Sequence, residues 1–134
     1  MSIKPHISRL FALLLLAVIG LVGCGAGPNG LTGNYSQDTS MVLENLTTAI
    51  DLPNDATNKK EVVALARSQM NDYASRYRRN SKVSTLRSFT TMQTAVNSLA
   101  GFYSSYGIRP IPEKLKKRLK QEFKQVELAL KRGA

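Results

Sequence analysis

The sequence predicts an all-α protein, an antiparallel up-down-up-down four-helix bundle over residues 34–134. Three observations predict it. Four segments carry apolar residues at the three-and-four spacing of one helical face, and no segment alternates with the period of two that a half-buried strand needs. The connections between the four are short, which makes sequential helices neighbours and therefore antiparallel.

The first helix is expected from about Tyr35 to Ile50, with Val42, Leu43, Leu46, Ala49 and Ile50 on one side, and Leu52-Pro53-Asn54-Asp55 ends it. A second begins after Asn58, which has Glu61 three residues on, a pair able to cap otherwise orphaned amide donors. Its expected core face is Val62, Leu65, Ala66, Gln69, Met70, Tyr73 and Tyr77, and it stops near Asn80. The third helix, roughly Val83 to Tyr106, has the broadest apolar face: Leu86, Phe89, Met92, Val96, Leu99, Ala100, Tyr103 and Tyr106. Gly107 supplies a left-handed residue after it, and Pro110 and Pro112 restart the chain, with Pro112 in a first turn where a missing N–H is harmless. The fourth helix aligns Leu115, Leu119, Phe123, Val126, Ala129 and Leu130, and Gly133 closes it. Tyr73, Tyr77, Tyr103 and Tyr106 read as core and rim packing.

The chain has 134 residues, suited to one domain, and 43% of them are hydrophobic against 21% charged, which is the balance of a foldable chain. Its 19 Lys and Arg outnumber nine Asp and Glu, a formal net charge of +10, so an anionic partner or surface is expected. Lys4 and Arg9 precede an unbroken apolar run from Leu10 to Val22, 13 residues long. A bilayer span needs about 20 helical residues, whereas the apolar centre of a signal peptide needs only about 7–15. The run ends in Leu21-Val22-Gly23-Cys24, which resembles the bacterial lipobox, where a diacylglyceryl group is attached to the cysteine and the chain is cut before it. A signal peptide with an incidental cysteine, or a signal anchor, is the alternative. On the lipobox reading, residues 1–23 are a lipoprotein signal peptide, and residues 24–33 are the acylated Cys24 and a flexible glycine-rich tether, the alternative being a packed arm with Leu31 docked on the first helix. Loss of Lys4 and Arg9 with the leader then lowers the net charge by two, to +8, and removes the one histidine, His6. Export also makes nucleic acid an unsuitable explanation for the charge.

These counts exclude most chemistry. With a single Cys and a single His there is no disulfide framework and no Cys/His zinc cage. The nine carboxylates are scattered, and no two on one expected helix sit at i,i+3 or i,i+4, so neither a bound metal nor any other cofactor is expected. There is no G-x-S-x-G elbow, no S-x-x-K pair beside an activating base and no phosphate-binding glycine loop. The chain is not expected to be an enzyme.

Two basic clusters remain. Lys116, Lys117, Lys120 and Lys124 lie opposite the apolar stripe of the fourth helix, where they are either a plain solvated face or a surface for an acidic protein or anionic lipid headgroups. Arg76, Arg78, Arg79, Lys82 and Arg87 span the end of the second helix and the start of the third. Cations near a helix C-terminus complement its dipole, which accounts for Arg76, Arg78 and Arg79 but not for Lys82 or Arg87.

The segments Leu31-Thr32-Gly33-Asn34-Tyr35, Asn71-Asp72-Tyr73 with Arg76-Tyr77-Arg78-Arg79, and Ser88-Phe89-Thr90-Thr91-Met92-Gln93-Thr94-Ala95 through Leu99-Ala100-Gly101 resemble the Psb twenty-seven family. So does Arg109-Pro110-Ile111-Pro112-Glu113-Lys114-Leu115. The resemblance covers the chain beyond the leader. It implies a monomeric, lipid-anchored bundle on the lumenal side of the thylakoid membrane. Its partner there would be immature or damaged photosystem II, bound transiently at the lumenal loop of the inner antenna subunit PsbC. Members are thought to delay docking of the extrinsic subunits PsbO, PsbU and PsbV while the manganese-calcium-oxo cluster is assembled. Under this reading the expected partner contacts are Arg78, Arg79, Arg87, Phe89, Thr90, Arg109 and Pro110, grouped around two connections that an up-down-up-down bundle places at opposite ends. The rival is a lipid-anchored membrane-surface protein that uses the basic fourth helix.

Overall fold

The computed structural model describes residues 29–134; the leader, Cys24 and the first part of the tether lie outside the described residues. Helix α1 (Tyr35–Asp51) begins where Asn34 is extended and its side-chain carbonyl accepts the Gln37 N–H at 3.0 Å, satisfying one of the orphan donors of a helix start. It buries Val42, Leu43, Leu46, Ala49 and Ile50, as their spacing predicts, and also Asp38 and Thr39. Leu52 ends it in an extended conformation, because the ring of Pro53 disfavours helical backbone at the residue before it.

Helix α2 (Lys59–Arg78) starts at the expected point by a different route. Asn58 has φ −97° and ψ 13°, away from the extended backbone a capping residue uses, and its side chain makes no capping hydrogen bond, so the pair with Glu61 does not form. The buried face also differs. It comprises Val63, Ala66, Gln69, Met70, Tyr73 and Tyr77, whereas Val62 is half-buried and Leu65 is 51% exposed. The three-and-four series through Ala66, Met70, Tyr73 and Tyr77 runs back to Val63, and Leu65 sits about 100° round the helix from Ala66.

Helix α3 (Arg87–Tyr106) starts at Arg87 rather than Val83, because Asn80 folds the preceding residues into turns. The Asn80 side chain accepts the Lys82 N–H at 3.0 Å and its backbone carbonyl accepts those of Val83 and Ser84 at 3.0 and 2.8 Å. Val83 is nonetheless buried, inside the turn. Phe89, Met92, Val96, Leu99 and Tyr103 form the core face with Ser88 and Ala95; Leu86 and Ala100 are half-buried, and Tyr106 is exposed with its ring 5.0 Å from that of Phe102. Gly107 takes φ 62°, the positive value expected, although its ψ of −127° lies outside the left-handed helical basin. Helix α4 (Glu113–Lys131) follows, with Pro112 just outside the first turn as its cap residue. It buries Leu119, Phe123, Val126 and Ala129, with Leu115 and Leu130 half-buried at its edges.

Contacts between helices give the topology. Thr39 meets Tyr73 and Asn45 meets Gln69, so α1 and α2 run antiparallel. Arg67 meets Ser104 while Tyr73 meets Phe89, and Ser98 meets Arg118 while Ser88 meets Ala134, which makes α2–α3 and α3–α4 antiparallel too. Helix α4 returns beside α1, and Lys120 reaches Asp51 at 2.6 Å. The hairpins α1–α2 and α3–α4 pack closely, and they meet along two more open seams, α2/α3 and α1/α4.

Candidate partner-binding surface

The end of the bundle where α2 hands over to α3 is built on a buried polar cluster. The Tyr77 ring lies between those of Tyr35 and Tyr73, its centroid 5.2 Å from each, edge-on to Tyr35 and tilted against Tyr73, and Phe89 lies 6.2 Å from Tyr73. The Thr39 hydroxyl donates to the Tyr35 carbonyl at 2.7 Å and therefore accepts from the Tyr73 hydroxyl at 2.8 Å. Tyr77 donates to the buried carboxylate of Asp38, and Tyr35 shares a 2.6 Å hydrogen bond with Ser88. Burial pushes the Tyr73 and Tyr77 hydroxyls well above the usual phenol range, and the Asp38 carboxylate adds to the effect on Tyr77. The cluster ties the starts of α1 and α3 to the end of α2, so the cations mounted on those ends sit on a rigid base.

Those cations are Arg76, Arg78, Arg79, Lys82 and Arg87, all exposed. Arg76 and Arg78 occupy the last turn of α2, where they complement the negative end of its dipole. Arg87 is the first residue of α3, and that first turn holds no acid. Its guanidinium therefore adds to the positive end of the α3 dipole, where the Ala134 main-chain oxygen accepts the Ser88 N–H at 3.2 Å. Thr90 is exposed beside it and donates to the Arg87 carbonyl at 3.1 Å. Arg87 and Thr90 also line a hollow with Gln125 and Leu128 from α4 and Arg132 just beyond it. Arg132 and the 43%-exposed Leu128 were not expected there. Leu128 had one signal in the sequence, as an apolar residue off the stripe of α4; Arg132 had none.

Phe89 does not belong to this surface. It is 4% exposed and packs in the aromatic cluster, because its position continues the core series through Met92 and Val96. Arg109 and Pro110 are exposed but at the opposite end, where Arg109 joins Asn54, Ile111 and Lys116 around a small hollow. Helices of 20 residues, at about 1.5 Å each, separate the two groups by roughly 30 Å. The lysine row of α4 is partly answered from within the fold, since Lys120 pairs with Asp51 and Lys116 is half-buried; Lys117 and Lys124 face solvent. A second pair, Arg118–Glu122 at 2.9 Å, stands beside it, and these are the two ion pairs among the described residues. Among the described residues no group of three or more His, Cys, Asp or Glu could hold a metal ion, and no helix is long and apolar enough to cross a membrane.

Fold and surface together define a class: a small, cation-rich four-helix bundle with exposed arginines gathered where α2 hands over to α3. The chain belongs to the family described as Photosystem II Pbs27, which matches residues 6–130. It is 61% identical over 131 residues to the Photosystem II lipoprotein Psb27 of Synechocystis sp., spanning 98% of this chain and 97% of that one. It is 54% identical over 131 residues to the Photosystem II assembly factor lipoprotein Psb27 of Thermosynechococcus vestitus, spanning 98% of each. The solution structure of Psb27 from cyanobacterial photosystem II superimposes with a TM-score of 0.76 at 63% identity, covering 81% of this chain and 94% of that chain.

Proposed function

We propose that this chain is a non-catalytic photosystem II assembly and repair factor, held by a lipid on Cys24 at the lumenal side of the thylakoid membrane. It binds immature photosystem II transiently at the lumenal loop of PsbC. By occupying that surface it delays the extrinsic subunits and leaves the manganese-calcium-oxo cluster accessible during its assembly. The observation that carries this reading is identity over nearly the whole chain to relatives named as a photosystem II lipoprotein and an assembly factor. The cationic end supports it, because unpaired arginines on a rigid base steer a bundle toward an acidic loop and suppress wrong partners. The anchor confines encounters to the membrane surface and so raises the effective concentration there.

The mechanism is reversible occupation rather than turnover. Arg78, Arg79 and Arg87 supply the charge-assisted hydrogen bonds, and Thr90 supplies a hydroxyl beside them. Replacing Arg78, Arg79 and Arg87 together by Glu is expected to abolish co-purification with photosystem II isolated before its extrinsic subunits dock. Undiminished co-purification would remove this end of the bundle from the interface and leave Arg109 and Pro110 as the expected contacts.

A further inference from the structure

We propose that the seam between α2 and α3 is a groove for an extended acidic segment of the protein partner, with Arg67 and Arg78 as its two carboxylate receptors. This rests on the reading of the chain as a photosystem II-docking factor and identifies a second part of its contact surface. The seam is hollow because Ala74 and Ala100 offer only methyl groups across it, leaving a groove of about 480 Å³. Its lining contains no acid: α3 carries no carboxylate anywhere, and Asp72 of α2 is not among the groove residues. Arg67 makes one long contact, 3.4 Å to the neutral hydroxyl of Ser104, and neither Arg67 nor Arg78 has an ion-pair partner among the described residues.

The other seam shows that this is a property of one face. Between α1 and α4 the corresponding groove is lined by Glu44 and Glu127 as well as Lys131, so its charges are mixed. The α2/α3 groove, by contrast, is lined by two arginines and no acid. Arg67 and Arg78 are eleven positions apart on one stripe of α2, which separates them by roughly 16 Å, the length of about five residues of extended chain. Between them Asn71, Gln93 and Asn97 line the floor and walls with amides, which can donate to and accept from a peptide backbone. A narrow trough of amides and methyl groups between two helices fits a polypeptide; a bilayer surface meets convex faces.

The test uses the full acylated chain and photosystem II isolated before its extrinsic subunits dock. Arg67→Glu, which lies outside the cationic end, and Asn97→Trp, which plugs the groove without changing charge, are each expected to weaken retention by about tenfold or more. Both positions are exposed, so the helical circular dichroism and melting temperature should match wild type. Arg67→Lys is expected to retain binding and to cross-link through its new amine to a partner carboxylate when treated with carbodiimide. If wild type is not retained, the functional reading falls and the groove falls with it. If wild type and both groove variants are retained alike, or position 67 stays unlinked while lysines of α4 react, the groove alone is overturned. Loss of binding to phosphatidylglycerol vesicles by Arg67→Glu, with photosystem II retention intact, would assign the seam to lipid headgroups and also overturn it.

Discussion

Tyr73, Tyr77 and Tyr103 bury their hydroxyls, but only the first two have hydrogen-bond partners, in Thr39 and Asp38. The Tyr103 hydroxyl has none among the described residues, and burial alone pushes it up to about 12 from the ordinary 10.0. Between those two values the folded state keeps a proton that the unfolded chain has released. Stability contributed by this group is therefore complete below about pH 10 and is lost as pH rises toward 12. Tyr103→Phe removes an unsatisfied hydroxyl without emptying the core. It is expected to leave the urea midpoint at pH 7 unchanged or raise stability by about 1 kcal/mol, and to reduce the loss between pH 10 and 12. Urea titrations at pH 7 and pH 11 check it; Tyr73 and Tyr77, also raised, keep some alkaline sensitivity in the variant. That these tyrosines are core residues was legible from their spacing. Which hydroxyl is satisfied was not, because Thr39 is 34 positions from Tyr73 and Asp38 is 39 from Tyr77.

At the scale of a helix, two glycines, one within α3 and one just after it, test backbone conformation. Gly101 is exposed within the helix, and a methyl group there would meet nothing within 4 Å. Gly101→Ala is expected to stabilise the bundle by about 0.5–1 kcal/mol, since glycine loses more backbone entropy than alanine on entering a helix. Gly107 is equally open in space but has φ +62°. Gly107→Ala is expected to destabilise by about 1–2 kcal/mol through backbone strain alone. Thermal melts of the two variants should move in opposite directions. Helix existence and most core positions were readable from periodicity, but the errors share a cause. Helix α3 starts at Arg87 and not at the expected Val83, because Val83 is buried in an Asn80 turn, and an apolar residue buried in a turn and one buried in a helix look alike in sequence. Leu65 and Val63 likewise both fit a three-and-four series from Ala66 or Gln69, and only packing against the neighbouring helices chooses between them.

For the whole molecule, the topology separates charges that adjacency in sequence does not. Arg78, Arg79 and Arg87 share one end of the bundle because α2 ends where α3 begins, which was legible; Arg109 and Pro110 lie at the other end, as the predicted topology requires. Arg67 was not legible as part of any site, because its neighbours across the seam, Asn97 and Ser104, come from a different helix. The exposed cations without ion-pair partners give a kinetic expectation. Unpaired surface charge acts mainly on encounter, and its reach shrinks from about 30 Å at 0.01 M salt to about 8 Å at 0.15 M. For a Cys24→Ala chain, which lacks the proposed anchor, the association rate with photosystem II should fall by about tenfold or more over that range, with dissociation changing far less. The acylated chain should show a weaker dependence, because confinement to the membrane surface supplies encounters that no longer need steering. Stopped-flow association at several salt concentrations measures both. A salt dependence carried by dissociation instead would mean that the arginines are desolvated in the bound complex, where truncating one leaves its partner charge buried and unpaired.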